Sequence, residues 1–484
     1  MGAQDATRRM LIDGELVTTE RTFPSVNPTT GAVIGYAPDA TAVDAEAAVK
    51  AARHAFDTSG WATDVKLRTH CLNQLYQALT DHKEELRELT IAEVGAPRML
   101  THGPQLDQPI EIVRYYADLL PSYSLTEELG EIEVRGQQHR RWVEKEAAGV
   151  VAAIIPYNYP TQIGLAKLAP ALAAGCTVVL KGAPDTPLVT LALGELIANQ
   201  TDIPPGVVNV ITSSEAATGE VLTTHPDVDM VTFTGSTATG RRIMAAASET
   251  VKRVFLELGG KSAMIILDDA DMNTSAMFSA FMVCSHAGQG CAITTRLLVP
   301  RDQHDAIVEQ VAAYLGRVAV GDPADPKTFM GPLISERQRD KVDGMVSRAV
   351  EAGARLVTGG ERIDPGFFYA PTLLAGVDPD SEIAQDEVFG PVLAVIPYTD
   401  DDDAVRIANN SIYGLSGGVQ SADTERAIAL ARRIRSGTFS INGGNYFSPD
   451  SPFGGYKQSG IGREMGVPGF EEFLERKTFA VVVG

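Results

Sequence analysis
Cys291 lies in His286-Ala-Gly-Gln-Gly-Cys291-Ala-Ile-Thr-Thr-Arg296, 34 residues after Glu257 in Val254-Phe-Leu-Glu257-Leu-Gly-Gly-Lys261. A cysteine set among glycines leaves its sulfur open to an electrophile. A glutamate that opens a Gly-Gly turn offers a base to the same site. The pair points to covalent catalysis through a thiolate, followed by attack of water on the thioester. The plainer reading of a lone cysteine is a small buried hydrophobe. Cys71, Cys176 and Cys284 read that way, each within an apolar helical or strand pattern. None of the four forms a Cys-x-x-Cys pair and the eight histidines are scattered, so no metal site is expected.

The rest of the chain must position this pair. Its 484 residues are enough for two or three structural units. Hydrophobic content of 44% with 21% charged residues is ordinary for a globular enzyme. A net charge of −21 argues against nucleic acid and anionic membrane as partners, since both need clustered cations. Four cysteines without a pairing pattern suggest a reducing, cytoplasmic compartment. The polar stretch from Met1 to Arg9 lacks the apolar core of a secretory signal, and no apolar run approaches the roughly 20 residues of a membrane span.

Short apolar runs alternate with helical patterns. Strands are expected at 150–155, 177–180, 207–211 and 229–233, with helices at 163–174 and 188–199 between them. The pattern restarts near Glu257, with strands at 263–267, 296–299, 392–396 and 438–442 and helices at 305–318 and 336–352. Continuous apolar strands separated by helices imply parallel sheets covered on both faces. Two segments fit neither unit. Residues 131–135 and 140–144 flank Gly136-Gln137 and suggest a hairpin, and 479–483 is an apolar strand. Neither has an obvious partner nearby, so both are expected to build a subunit interface.

Glycines mark further candidates. Thr234-Gly235-Ser236-Thr-Ala-Thr-Gly240 follows a strand and precedes a helix, where backbone N–H groups can meet a phosphate. Its spacing is neither the dinucleotide fingerprint nor a P-loop, and Gly259-Gly-Lys-Ser262 lacks the first P-loop glycine. Lys181 ends a strand at the edge where open sheets bind ligands, although a solvated lysine is the commoner case.

In this order the motifs resemble the aldehyde dehydrogenase superfamily, in its NAD(P)-dependent, non-phosphorylating, hydrolytic branch. The resemblance runs from Asn27-Pro-Thr-Thr-Gly31 to Lys477. It is carried by Pro156-Tyr-Asn158-Tyr-Pro160, Phe233-Thr-Gly-Ser236, Leu256-Glu257-Leu-Gly-Gly, Gly288-Gln-Gly-Cys291, Glu387-Val-Phe389-Gly-Pro-Val and Pro452-Phe-Gly-Gly-Tyr-Lys-Gln-Ser-Gly460. It implies an α/β fold: a Rossmann-like cofactor domain (1–126 and 147–256), a second α/β catalytic domain (257–450) and a small β oligomerisation element. The last comprises 127–146 and 470–484, with 451–469 as a returning segment. It also implies a homodimer or homotetramer.

The resemblance makes Cys291 the nucleophile and Asn158 the oxyanion donor. Glu257 becomes the base that activates water and Glu464 a proton relay. Cofactor contacts fall on Ile155, Pro156, Tyr157, Lys181, Gly182, Ala183, Pro184, Gly219, Phe233, Gly235, Ser236, Gly240, Glu257, Leu258, Gly259, Glu387 and Phe389. Many NAD-preferring members carry a glutamate where this chain has Pro184, so NAD is expected with NADP not excluded. The aldehyde tunnel falls on Tyr159, Ile163, Ala166, Gly290, Ala292, Phe447 and Phe453, an apolar and aromatic set without an arginine. That implies a medium-sized apolar or aromatic aldehyde rather than a semialdehyde of a dicarboxylic acid. A CoA-acylating relative would generally lack Glu257, a non-enzymatic role fits poorly with an intact Cys291, Glu257 and Asn158 set, and no P-loop or ligand spacing supports phosphoryl transfer or metal chemistry.

Overall fold
A computed structural model describes residues 6–483; the stretch Met1–Asp5 and Gly484 lie outside the described residues. The chain opens with the hairpin β1 (Met10–Ile12) and β2 (Glu15–Val17). The first α/β unit follows with β3 (Val150–Ile154), α1 (Pro160–Ala174), β4 (Thr177–Lys181), α2 (Pro187–Gln200), β5 (Val208–Ile211), β6 (Met230–Thr234), α3 (Thr237–Ala247) and β7 (Arg253–Glu257). Pro at the first position of α1 and α2 presets the helical φ where no N–H is needed. Gly175 ends α1 at φ 96°, a left-handed cap that favours glycine.

The second unit runs through β8 (Ser262–Ile266), α4 (Met272–Cys284), β9 (Thr294–Pro300), α5 (Glu336–Glu351), β10 (Arg355–Thr358), β11 (Thr372–Ala375), β12 (Val392–Tyr398), β13 (Gly417–Gln420) and β14 (Ser440–Ile441). The short strand β15 (Gly460–Ile461) then returns to the first sheet. The first sheet has the order β2-β1-β5-β4-β3-β6-β7-β15 and the second β10-β11-β12-β9-β8-β13-β14. The central pairs of both sheets are parallel, while β1, β15 and β10 pair antiparallel at the edges. Chain order reverses between β3 and β6 in the first sheet, the kind of switch point that opens a ligand crevice.

Cys71, Cys176 and Cys284 are all fully buried, as their patterns suggested. The two leftover strands differ from expectation in one respect. They pair with each other within the chain. The strand Leu474–Val483 lies antiparallel to Gln137–Ala147, which pairs with Thr126–Val134. The hairpin turn sits one residue earlier than Gly136-Gln137, because Arg135 and Gly136 both take positive φ, the geometry a two-residue hairpin turn needs.

Candidate active site
Cys291 stands on the loop between α4 and β9. That loop is unusual: His286, Ala287 and Gly288 adopt φ of 47°, 52° and 73° in succession. Runs of left-handed residues are strained and persist only where the surroundings over-determine them. The surroundings here are specific. The Gln289 side chain donates to the carbonyls of His286 and Pro332 and accepts from the Ile334 amide at 2.9 Å. A Cβ on Gly288 would overlap the Gly390 carbonyl, so the loop lies directly on the segment that carries Glu387 and Phe389.

Asn158 precedes α1 and is buried. Its side-chain amide donates to the Gln289 carbonyl at 2.8 Å, and its own carbonyl accepts from Gln105. An amide nitrogen has two protons, so one N–H remains for a ligand. Glu257 is the last residue of β7, buried, with no hydrogen-bond partner on either oxygen. Burial, with Glu464 adding to it, holds its carboxyl well above the ordinary range. Burial also pushes the Cys291 thiol up, and Glu387, Glu257 and Glu464 push it the same way.

These residues open on one cavity of about 420 Å³ between the carboxyl edge of the first sheet and the amino edge of the second. Of the residues expected there, Asn158, Tyr159, Ile163, Glu257, Gly290, Cys291, Ala292, Phe447, Phe453 and Glu464 line it. Ala166 does not: it is buried in the core one turn behind Ile163. Phe278 and Met282 of α4 and Gln108 and Gln162 also form the wall, a contribution that the local motifs did not reveal. Phe447 and Phe453 meet edge to face, and Phe453 exchanges two backbone hydrogen bonds with Glu464.

Glu464 is paired with Lys167 at 2.8 Å, both buried, and Lys167 also donates to the Thr232 hydroxyl. Lys167 is the only charged residue in α1, and a charge inside an apolar helix signals a buried partner. That signal was present in the sequence.

A second cleft of about 400 Å³ opens at the first sheet's switch point. Ile154, Lys181 and Phe233, from the ends of β3, β4 and β6, line it with Gly219. Glu220 and Arg242, a salt bridge at 2.6 Å, join them without any motif to mark them. Burial lowers the Lys181 ammonium to about 8, against the pull of Asp39, and the ammonium donates to the Gly182 carbonyl at 3.5 Å. Gly240 is closed against Leu258, where a Cβ would stand 2.7 Å from the leucine methyls. Gly235 is packed on the Phe233 ring, and Ser236 caps α3. Pro184 is exposed, with Gly182 and Ala183 buried behind it.

Toward Cys291, the Glu387 carboxylate accepts from the Gly260 amide at 3.0 Å, and a Cβ on Gly259 would stand 2.7 Å from it. Two residues of α5 hold this segment: Gln338 donates to the Phe389 carbonyl and Lys341 to the Glu387 carbonyl. Phe389, at φ 59°, meets Tyr157 edge to face. Pro156 and Ile155 join β3 to Tyr157.

The sequence model of the aldehyde dehydrogenase family matches residues 16–479. The chain belongs to the aldehyde dehydrogenase family. It is 40% identical to 3-succinoylsemialdehyde-pyridine dehydrogenase of a Pseudomonas species, over 97% of this chain and 98% of that one. Aldehyde dehydrogenase of Mycobacterium tuberculosis, solved with NAD+, superimposes with a TM-score of 0.93 at 41% identity and 99% coverage of each chain. A variant of aldehyde dehydrogenase C of Pseudomonas syringae, solved with NAD+ and octanal, gives a TM-score of 0.92 at 37% identity, covering 99% of this chain and 98% of that one. Against this aldehyde dehydrogenase fold, the Cys291 loop, Asn158 and Glu257 form one constellation on one cavity. Among the described residues no cluster suited to a metal ion occurs, and no helix is long and apolar enough to cross a membrane.

Proposed function
We propose that the enzyme oxidises a medium-sized apolar or aromatic aldehyde to its carboxylic acid with NAD+, through an acyl group carried on Cys291. The observation that carries this reading is the convergence of Cys291, Asn158 and Glu257 on one apolar cavity. The switch-point cleft suits a dinucleotide. It offers a buried ammonium at Lys181, close backbone approach at Gly219 and the first turn of α3 at Thr239. Lys181 would take the adenosine ribose, Gly235, Ser236 and Gly240 the pyrophosphate, and Glu387 and Phe389 the nicotinamide end. Bound NAD+ supplies the hydride acceptor. In this reading the first sheet's unit holds the cofactor and the second supplies the nucleophile.

Once its proton has passed to solvent, the Cys291 thiolate attacks the aldehyde carbonyl, and the oxygen gains negative charge. The free N–H of Asn158 and the Cys291 amide meet that charge with donors already in place. Loss of hydride leaves a thioester. Glu257 then takes a proton from water as the water attacks, and the thiolate leaves. The Lys167–Glu464 pair lies beside Glu257 and offers the proton its next acceptor.

The cavity wall carries aromatic and aliphatic side chains, and its only charged members are Glu257 and Glu464. No cation is there to pair with a substrate carboxylate. A panel of aldehydes with NAD+ and NADP+, followed by nicotinamide absorbance, tests this. Octanal- or benzaldehyde-sized substrates with NAD+ should give the highest kcat/KM, and Cys291→Ala should show none. Succinic semialdehyde as the best substrate, or equal kcat/KM for both cofactors, would refute the corresponding part.

A further inference from the structure
Two helices begin just past strand ends beside the switch-point cleft: α2 after β4 and α3 after β6. Either N-terminus could offer amides to a phosphate. They are not equivalent. In α2 the first residue, Pro187, has no N–H. The next two amides, Leu188 and Val189, donate at 2.8 Å to the two carboxylate oxygens of Glu93. Glu93 lies on the helix Lys83–Val94, fully buried, and accepts a third hydrogen bond from the Ser25 hydroxyl at 2.6 Å. No arginine or lysine among the described residues bonds to it. Burial pushes its carboxyl up to about 7, against the pull of these three donors. At α3 the Ser236 hydroxyl engages the Thr239 amide, and the amides of Thr237 and Ala238 have no intrahelical acceptor.

A buried carboxylate without a cation is expensive to keep. Here it does for α2 what a phosphate would do, answering the positive end of the helix with an internal anion. We propose that Glu93 is a positioning residue for the dinucleotide: it fills the α2 N-terminus, leaves α3 as the phosphate-accepting helix end, and holds the loop 181–186 in the shape that meets the adenosine ribose. The route is short. Thr190 follows the two capped amides by one residue, and Gly182 lies against it so tightly that a Cβ there would stand 2.7 Å from the Thr190 hydroxyl. Movement of the first turn of α2 therefore moves Gly182 and Lys181. The inference rests on the NAD+ reading above.

The test uses full-length wild type, Glu93→Gln and Ser25→Ala, with the dissociation constant of NADH read from nicotinamide fluorescence. Glu93→Gln should weaken NADH about tenfold and Ser25→Ala about threefold, as expected for loss of hydrogen bonds to a charged group. In both variants the aldehyde KM, kcat at saturating NAD+ and the rate of Cys291 alkylation by iodoacetamide should stay within about twofold of wild type, the scatter of a substitution away from the chemistry. Unchanged NADH affinity in Glu93→Gln overturns the proposal. So does a parallel fall in every readout, since that marks a residue serving the fold alone. Where Glu93→Gln does not fold, Ser25→Ala decides by the same split. A wild-type enzyme that fails to bind NADH overturns the NAD+ reading itself.

Discussion

Burial acts in the same direction on both members of the reactive pair. It disfavours the thiolate of Cys291 and the carboxylate of Glu257, because each charged form loses hydration on burial. Each member therefore becomes more competent as pH rises. A raised thiol value means the thiolate fraction grows only at alkaline pH. A raised carboxyl value means the base form also appears late. In the cofactor-free enzyme, alkylation of Cys291 by iodoacetamide should keep rising above the ordinary thiol value of about 8.5. Turnover should likewise climb from neutral to alkaline pH. Glu257→Gln should remove that limb from kcat while leaving the first-turnover release of NADH. Equal loss of the first turnover in Cys291→Ala and Glu257→Gln would mean that Glu257 also activates the thiol.

The Cys291 loop works as an element rather than as a residue. Three left-handed residues turn it, Gln289 staples it to Pro332 and Ile334, and Gly288 presses it on Gly390. The segment beyond Ile334 leads into α5, whose Gln338 and Lys341 hold the Phe389 and Glu387 carbonyls. Nucleophile and proposed nicotinamide contacts are thus fastened to one frame. Gly288→Ala adds a Cβ where φ is 73° and where a carbonyl already stands. Overpacking plus backbone strain should lower stability by about 2–4 kcal/mol. Calorimetry would show a fallen Tm and assays a kcat lowered more than either KM. A variant with wild-type Tm and kcat would mean the loop yields freely.

At the scale of the molecule, the three-stranded sheet stands apart from the two α/β sheets. Every residue of Thr126–Val134 is exposed, and Leu129, Ile132, Val134, Val481 and Val482 present apolar side chains. Both outer strands keep open edges, which another chain can cover. Removal of 477–484 should reduce the mass measured by light scattering to that of one subunit. Val482→Lys, at a half-exposed position that leaves the ladder intact, should weaken association in the same direction. Unchanged mass in both would sink the interface reading.

Much of this was legible in order along the chain. Apolar runs marked β3, β4 and β6, Gly175 marked the end of α1, and Cys291 and Glu257 announced themselves by glycine context and spacing, while Asn158 came only with the family resemblance of Pro156-Tyr-Asn158-Tyr-Pro160. These are local signals, since a strand's apolarity and a cap's glycine depend on a few neighbours. Lys167 was legible in principle, as the lone charge of an apolar helix, but its partner Glu464 lies 297 positions away. Ala166 shows the reverse case, where family position suggested the tunnel and packing put the residue in the core. The strand Leu474–Val483 seemed partnerless because its mate, Gln137–Ala147, is more than 300 positions earlier. Glu93 carries no motif at all. Only the fold brings it beneath α2 and decides which helix end is left to meet a phosphate, because a buried carboxylate's role is set by the donors that surround it.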